Sequence, residues 1–227
     1  MNFMSLNVRG MGAIVKVGWV SGLRKDHKIN FLAIQETQVD MVSHELVAKL
    51  WGNSNFSMEY VGASGRSGGL VCIWDPLVFR VQGVTKNRNY LLLNGQMVGS
   101  NQFLNVVNVY APHRVGDKKV VWNKITNEIS TGAAQWVLLG DFNAVGALGE
   151  RLNSVFNRTC AKDFNDFISD NGLVEYGMKG RRYTFLAPNS NKLSKIVTPR
   201  FPRVSPVGPV GDYRDVVGNN IVKPHNI

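Results

Sequence analysis

The stretch Trp136-Val-Leu-Leu-Gly-Asp141-Phe-Asn143-Ala-Val145 limits the possible folds more than any other part of the chain. Trp136 to Leu139 is a short apolar run punctuated by Gly140, which predicts a buried strand. Asp141 and Asn143 follow at alternate positions, so an extended continuation would point both to one side of the sheet. A carboxylate beside a carboxamide at a strand end suits phosphate chemistry. The carboxylate can hold a metal or take a proton from water, and the amide can donate to a phosphoryl oxygen. Asp, Asn and Gly are also turn formers, so the same residues fit a strand that simply ends in a turn.

The rest of the chain supplies more strand ends of this kind. Met1 to Val8 reads as a strand that runs into the glycine-punctuated loop Asn7-Val8-Arg9-Gly10-Met11-Gly12. Val17, Val20, Leu23 and Arg24 have helical spacing, and Phe31 to Ile34 is a second short strand closing on Gln35-Glu36-Thr37. Val42, Leu46, Val47 and Leu50 form an amphipathic helix face. From Phe56 the spacing becomes that of an antiparallel meander: Phe56–Val61, Leu70–Trp74, Phe79–Thr85, Tyr90–Val98 and Phe103–Tyr110. Residues 62 to 69 are glycine-rich but lack the GxxxxGK[ST] form and a following helix, so they predict a hairpin loop. A helix is predicted around Val120 to Glu128, and another around Phe164 to Ile168 that stops near Asn171-Gly172. Leu173–Tyr176 and Tyr183–Phe185 read as short strands around a basic turn. Five of the eight prolines lie beyond residue 197, and proline lacks the donor a ladder needs. Residues 197–227 are therefore expected to form a flexible tail without core strands, after a domain spanning 1–196.

Composition narrows the function classes. With 44% hydrophobic residues the chain can bury a sizeable core. Its formal net charge of +10 points to a polyanionic partner, nucleic acid ahead of an anionic membrane surface, although basic surface also serves solubility. Cys72 and Cys160 have no CxxC spacing, which argues against a zinc site or a disulfide scaffold and for buried thiols in an intracellular protein. No apolar run is long enough for a transmembrane helix, and residues 1–8 do not read as a signal segment.

Taken together, Asn7, Glu36, Tyr110, Asp141 and Asn143 offer a hard-cation ligand, amide donors and a phenol. That set suits metal-assisted phosphodiester hydrolysis. His113, beside Pro112, reads as a surface loop histidine. Five motifs in order carry a resemblance: Leu6-Asn7-Val8-Arg9-Gly10, Ile34-Gln35-Glu36-Thr37, Ser67-Gly68-Gly69-Leu70, Asn108-Val109-Tyr110-Ala111-Pro112 and Gly140-Asp141-Phe142-Asn143-Ala144. The chain resembles the endonuclease/exonuclease/phosphatase (DNase I-like) superfamily over residues 1 to about 196. It is most similar to the endonuclease domain of plant LINE-type non-LTR retrotransposons, through Glu150-Arg151, the Phe164–Ile168 segment, Gly172-Leu173 and the Gly180–Phe185 segment.

The resemblance implies an α/β fold, a four-layered sandwich of two face-to-face sheets with helices outside. It also implies a Mg²⁺-dependent (or Mn²⁺-dependent) enzyme that nicks DNA, for which a nuclear location would be compatible. Glu36 would bind the metal, helped by Asn7. Asp141 would orient or deprotonate water, and Asn143 and Tyr110 would hold the phosphate. Thr184 matches a position near the phosphate, and Arg181 and Arg182 would contact the DNA backbone or form a solvated turn. The chain departs from the family after Lys192-Leu193-Ser194-Lys195-Ile196: position 197 is Val where the family has aspartate, and no Ser-Asp-His occurs. That segment carries the family's catalytic histidine and its last strands, and His225 has no acidic neighbour to orient it. The departure predicts a fold lacking its last strands and a chain of low or absent activity. It leaves two alternatives open: a remnant that only binds nucleic acid or metal, and a phosphatase acting on a small phosphoester.

Overall fold

The computed structural model describes residues 1–11, 14–65, 67–130 and 134–175, together with four short strand segments beyond them. The chain begins β1 (Phe3–Asn7), α1 (Ile14–Asp26), β2 (Phe31–Gln35) and α2 (His44–Trp51), followed by β3 (Ser57–Val61) and β4 (Leu70–Trp74). Then come β5 (Phe79–Asn87), β6 (Tyr90–Met97), β7 (Phe103–Tyr110), α3 (Val115–Ile129) and β8 (Gln135–Asp141). A 3-10 turn at Leu148–Glu150 leads to β9 (Arg151–Leu152), α4 (Arg158–Asp170) and β10 (Leu173–Glu175). The last segments are β11 (Phe185–Leu186), β12 (Leu193–Ser194), β13 (Arg200–Pro202) and β14 (Val216–Gly218).

Two sheets form, ordered β14-β1-β2-β4-β3 and β10-β13-β8-β7-β6-β5, with a small third sheet β11-β12-β9. Three apolar clusters separate the layers. The first, including Leu6, Val20, Leu32, Val47 and Trp51, joins α1 and α2 to the outer face of the first sheet. The second, including Phe3, Phe31, Cys72, Phe79, Leu93 and Val137, fills the space between the sheets. The third, including Leu92, Val107, Trp122, Leu138, Phe142 and Phe164, seats α3 and α4 on the second sheet. The result is the expected helix–sheet–sheet–helix sandwich. Because both faces are covered, β2 (FLAIQ) and β4 (LVCIW) are buried at every position and read as continuous apolar runs rather than alternating ones.

Three expectations are corrected. The predicted meander is divided: β3 and β4 pair in the first sheet, and β5, β6 and β7 pair in the second. The crossing occurs at Asp75-Pro76, where the Asp75 carboxylate accepts from the Leu77 N–H at 2.9 Å and turns the chain. Local spacing is the same on both sides of that turn, so it could not reveal the change of sheet. Second, Val42 precedes α2 instead of lying on it. The Ser43 hydroxyl caps the helix by accepting from the Leu46 N–H at 3.2 Å. Val42 and Val47, both buried, then stand at the positions of a hydrophobic staple. Third, two segments beyond residue 197 do pair. β13 inserts between β10 and β8, and β14 runs parallel to β1. Pro202 is the last residue of β13, where its missing donor ends the ladder without interrupting it, and β14 contains no proline.

The glycine-rich loop at 62–69 joins β3 to β4 as a hairpin, as predicted. Cys72 and Cys160 are buried thiols. Among the described residues, no helix is long and apolar enough to cross a membrane.

Candidate active site

Two parallel strand pairs, one per sheet, end at the same edge of the sandwich. In the first sheet Asn7 of β1 is registered with Gln35 of β2, and in the second Tyr110 of β7 is registered with Asp141 of β8. Glu36 follows β2 directly, so four strand ends deliver Asn7, Glu36, Tyr110 and Asp141 to one place. The Asn7 side-chain amide bridges the sheets: its Nδ2 donates to Glu36 Oε1 at 2.8 Å and to Asp141 Oδ2 at 2.8 Å. The Tyr110 hydroxyl hydrogen-bonds to Glu36.

Asp141 is 2% exposed. Its Oδ1 accepts from the Asn143 N–H at 2.9 Å. Burial pushes its carboxyl up to about 6, and the charge of Glu36 adds to that; the Asn143 N–H, the Asn7 amide and Arg9 act in the opposite direction. Burial, together with the charges of Glu36 and Asp141, also pushes the Tyr110 hydroxyl up, which keeps it protonated as a donor. The site therefore concentrates negative charge around one amide and one phenol.

Local backbone explains the placement. Gly140 has φ +135°, and a Cβ there would lie 2.0 Å from the Val109 carbonyl oxygen, so only glycine lets β8 approach β7 at this point. Phe142 points away from the site into the third core cluster. Its ring centroid lies 5.9 Å from that of Trp122 and 5.6 Å from that of Phe164, which anchors the residues on either side of it. The extended continuation expected beyond Asp141 does not hold: β8 stops there, and Asn143 adopts φ +47°. In that turn its N–H caps Asp141, and its Nδ2 donates to the Ala111 carbonyl at 2.8 Å. Glu36, at φ +53°, sits in a similar left-handed turn, a conformation that non-glycine residues adopt at a cost.

Beneath the site lies a polar network absent from the sequence-derived set of site residues. Gln35 Nε2 donates to Asn108 Oδ1 at 2.6 Å and to Ser5 Oγ at 3.2 Å. Asn108 Nδ2 donates to the carbonyls of Ile34 and Val71, each at 3.1 Å. Gln35 and Asn108 are fully buried. The available signal was a polar residue inside an apolar run, in Leu104–Val109 and Phe31–Gln35. Arg9 was also missed; its charge acts on both Asp141 and Tyr110.

An open groove of about 440 Å³ runs from Tyr110 past Pro112 and His113 to Gly68 and Arg88. His113 is exposed and lines it. Thr184, Arg181, Arg182 and His225 lie outside the described residues. Among the described residues, no three His, Cys, Asp or Glu side chains cluster as a metal-binding group.

No family model matches the chain. No curated protein matches it either. Solved structures do. The 3'-5' exonuclease NExo from Neisseria meningitidis superposes with TM-score 0.68 at 17% identity, covering 89% of this chain and 87% of that one. An AP endonuclease from Archaeoglobus fulgidus gives TM-score 0.67 at 16% identity, covering 88% and 86%. A mannosyl-6-phosphatase from Bacteroides thetaiotaomicron gives 0.60 at 14% identity, covering 88% and 84%. These likenesses define the fold as the DNase I-like α/β sandwich.

Proposed function

We propose that the chain is a phosphoesterase of the DNA-nicking type, dependent on Mg²⁺ or Mn²⁺ and related to the endonuclease domain of plant LINE-type retrotransposons. The observation that carries this reading is the Asn7 amide held between Glu36 and Asp141, at 2.8 Å from each. It couples a cation-binding carboxylate to a buried base across the two sheets. The reading assigns the site to residues 1–196.

The residues fit a hard divalent cation. Burial raises the Asp141 carboxyl, the charge of Glu36 adds to it, and every candidate donor is oxygen. Mg²⁺ keeps several waters and needs few protein ligands, so Glu36 with the side-chain oxygen of Asn7 would suffice. When bound, the cation supplies positive charge to the phosphoryl oxygens. Asp141, with a carboxyl near 6, is ionised at neutral pH and basic enough to accept a proton from water. Asn7 and the Asn143 N–H fix the direction of that carboxylate. Tyr110, kept protonated, donates its one proton to Glu36 and reaches a phosphate only after leaving that carboxylate. The Asn143 side chain reaches the phosphate only after leaving the Ala111 carbonyl.

The net charge of +10 favours DNA over a small phosphoester. The neighbours with nuclease titles, NExo and the AP endonuclease, support a nucleic-acid substrate, whereas the mannosyl-6-phosphatase supports the alternative. The 227 residues contain no Ser-Asp-His, so the motif through which the resembled family protonates the transition-state phosphoryl group has no counterpart in them. The loss of such a group costs about 10²–10⁴-fold. Supercoiled plasmid nicking in Mg²⁺ tests the reading. Slow nicking that Asp141→Ala stops supports it. Salt-dependent plasmid binding without nicking leaves only the binding remnant, and hydrolysis of a small phosphoester without plasmid binding supports the phosphatase.

A further inference from the structure

The loop after β1 is held from both sides. On one side its N–H groups bond to the end of β2 and the residues after it: Val8 to the Gln35 carbonyl at 3.0 Å, Gly10 to the Glu36 carbonyl at 2.7 Å and Met11 to the Thr37 carbonyl at 2.9 Å. On the other side its carbonyls meet one ammonium. Lys16 Nζ donates to the carbonyls of Val8, Arg9 and Gly10 at 2.9, 3.0 and 3.1 Å. Consecutive carbonyls in an extended strand point in opposite directions. Here Arg9 at φ +46° and Gly10 at φ +95° turn three of them onto one point.

Lys16 is the third residue of α1, whose first turn has no acidic residue. A cation at a helix N-terminus opposes the macrodipole, so helix stability does not account for it. Three convergent carbonyl dipoles do. They use all three donors of the ammonium, and the planar guanidinium of arginine could not match that geometry.

We infer that the carbonyls of Val8, Arg9 and Gly10 form a monovalent-cation site that Lys16 fills from within the chain, and that Lys16 is thereby a positioning residue for the candidate active site. The loop it clamps begins at Asn7, whose amide aligns Glu36 and Asp141, and it carries Arg9, whose charge acts on Asp141 and Tyr110. The effect on turnover rests on the phosphoesterase reading, whereas the cation site stands on the carbonyl geometry alone.

The test uses the full chain with Lys16→Ala, in sodium, ammonium and tetramethylammonium chloride at equal ionic strength. Ammonium offers the same donors as the lost side chain and tetramethylammonium offers none. Thermal melts should rise in ammonium by about 2–4 °C for Lys16→Ala and not for the unsubstituted chain. If the chain nicks DNA, Lys16→Ala should lower kcat about 10–100-fold with little change in KM, and ammonium should restore kcat. Lys16→Gln carries the same arms if the alanine variant does not fold in sodium, and folding of either variant in ammonium alone supports the site. The inference is overturned if neither variant folds in any salt, if ammonium shifts neither melt, or if kcat is unchanged by the substitution. Should no protein nick DNA, the phosphoesterase reading falls, and the ammonium-specific melt alone decides the cation site.

Discussion

Gln35 of the first sheet donates to Asn108 of the second at 2.6 Å, in the buried layer directly beneath the strand ends that carry Glu36 and Tyr110. This bond makes the distance between the two halves of the site a property of the core. Asn108 also satisfies the Ile34 and Val71 carbonyls, so one side chain holds three partners that have no access to water.

Asn108→Leu should therefore destabilise far more than an average substitution. It keeps the volume but leaves Gln35 and two carbonyls without their donor or acceptor, each worth about 1–3 kcal/mol when buried. A loss of about 3–5 kcal/mol is expected, allowing for partial rearrangement, and urea denaturation measures it. A loss under about 1 kcal/mol would mean that the network is not a structural tie.

Asp141 gives a pH dependence of unusual sign. Its folded carboxyl titrates near 6 against an ordinary 3.8, so between those values the folded chain binds more protons than the unfolded one. Stability then falls as pH rises through that window, and the full cost, about 3 kcal/mol, is present above it. Taking the chain from pH 7 to pH 5 should recover about 1 kcal/mol of this cost in a denaturation series, and Asp141→Asn should lack that recovery. Activity should run the other way. kcat/KM should fall as pH drops below about 6 because the base becomes protonated, and Mg²⁺ should move that limb to lower pH. A rate that is flat from pH 7 to pH 5 would remove Asp141 from the role of base.

Lys118 of α3 is 5% exposed, and its ammonium donates to the Cys160 thiol of α4 at 3.4 Å. Among the described residues no carboxylate pairs with it. A thiol is a weak acceptor, so the buried charge is poorly compensated. Lys118→Met keeps the stem volume and removes the charge, and should stabilise the fold by about 1–3 kcal/mol. Lys118→Ala should destabilise through the cavity it leaves between the helices. Paired thermal melts distinguish the two, and destabilisation by Met would show that the ammonium is better satisfied than this geometry indicates.

Much of the architecture was legible because short apolar runs end in polar residues wherever strands leave the core. Asn7, Glu36, Tyr110 and Asp141 were found in that way, and the structure brings all four to one edge. Sheet membership was not legible, because the turn at Asp75-Pro76 fits a hairpin and a crossing between sheets equally well. The left-handed turn at Asn143 was also hidden: alternation predicts an extended chain, and the bond from its N–H to Asp141 depends on the fold. Gln35 and Asn108 read as ordinary strand residues, since a buried amide is recognised only through partners that are 73 and 74 positions away. The pairing of β13 was obscured by prolines whose effect depends on where in the strand they fall.

Metal binding supplies the last expectation and separates the two carboxylates. Both carboxylates accept from the Asn7 amide, but Glu36 is half-buried at the site edge, whereas Asp141 is 2% exposed and enclosed. The metal should therefore depend chiefly on Glu36. A ligand that binds only the folded state stabilises by RT ln(1 + [L]/Kd), about 1.4 kcal/mol at tenfold excess over Kd. Melts of the full chain should rise with Mg²⁺ or Mn²⁺ and level off as the site fills. Glu36→Gln should abolish the rise, because an amide keeps the shape but removes the charge that a hard cation needs. Asp141→Asn should retain part of it. An equal rise in Glu36→Gln and the unsubstituted chain would place the metal elsewhere, and the proposal that Glu36 binds it would have to be abandoned.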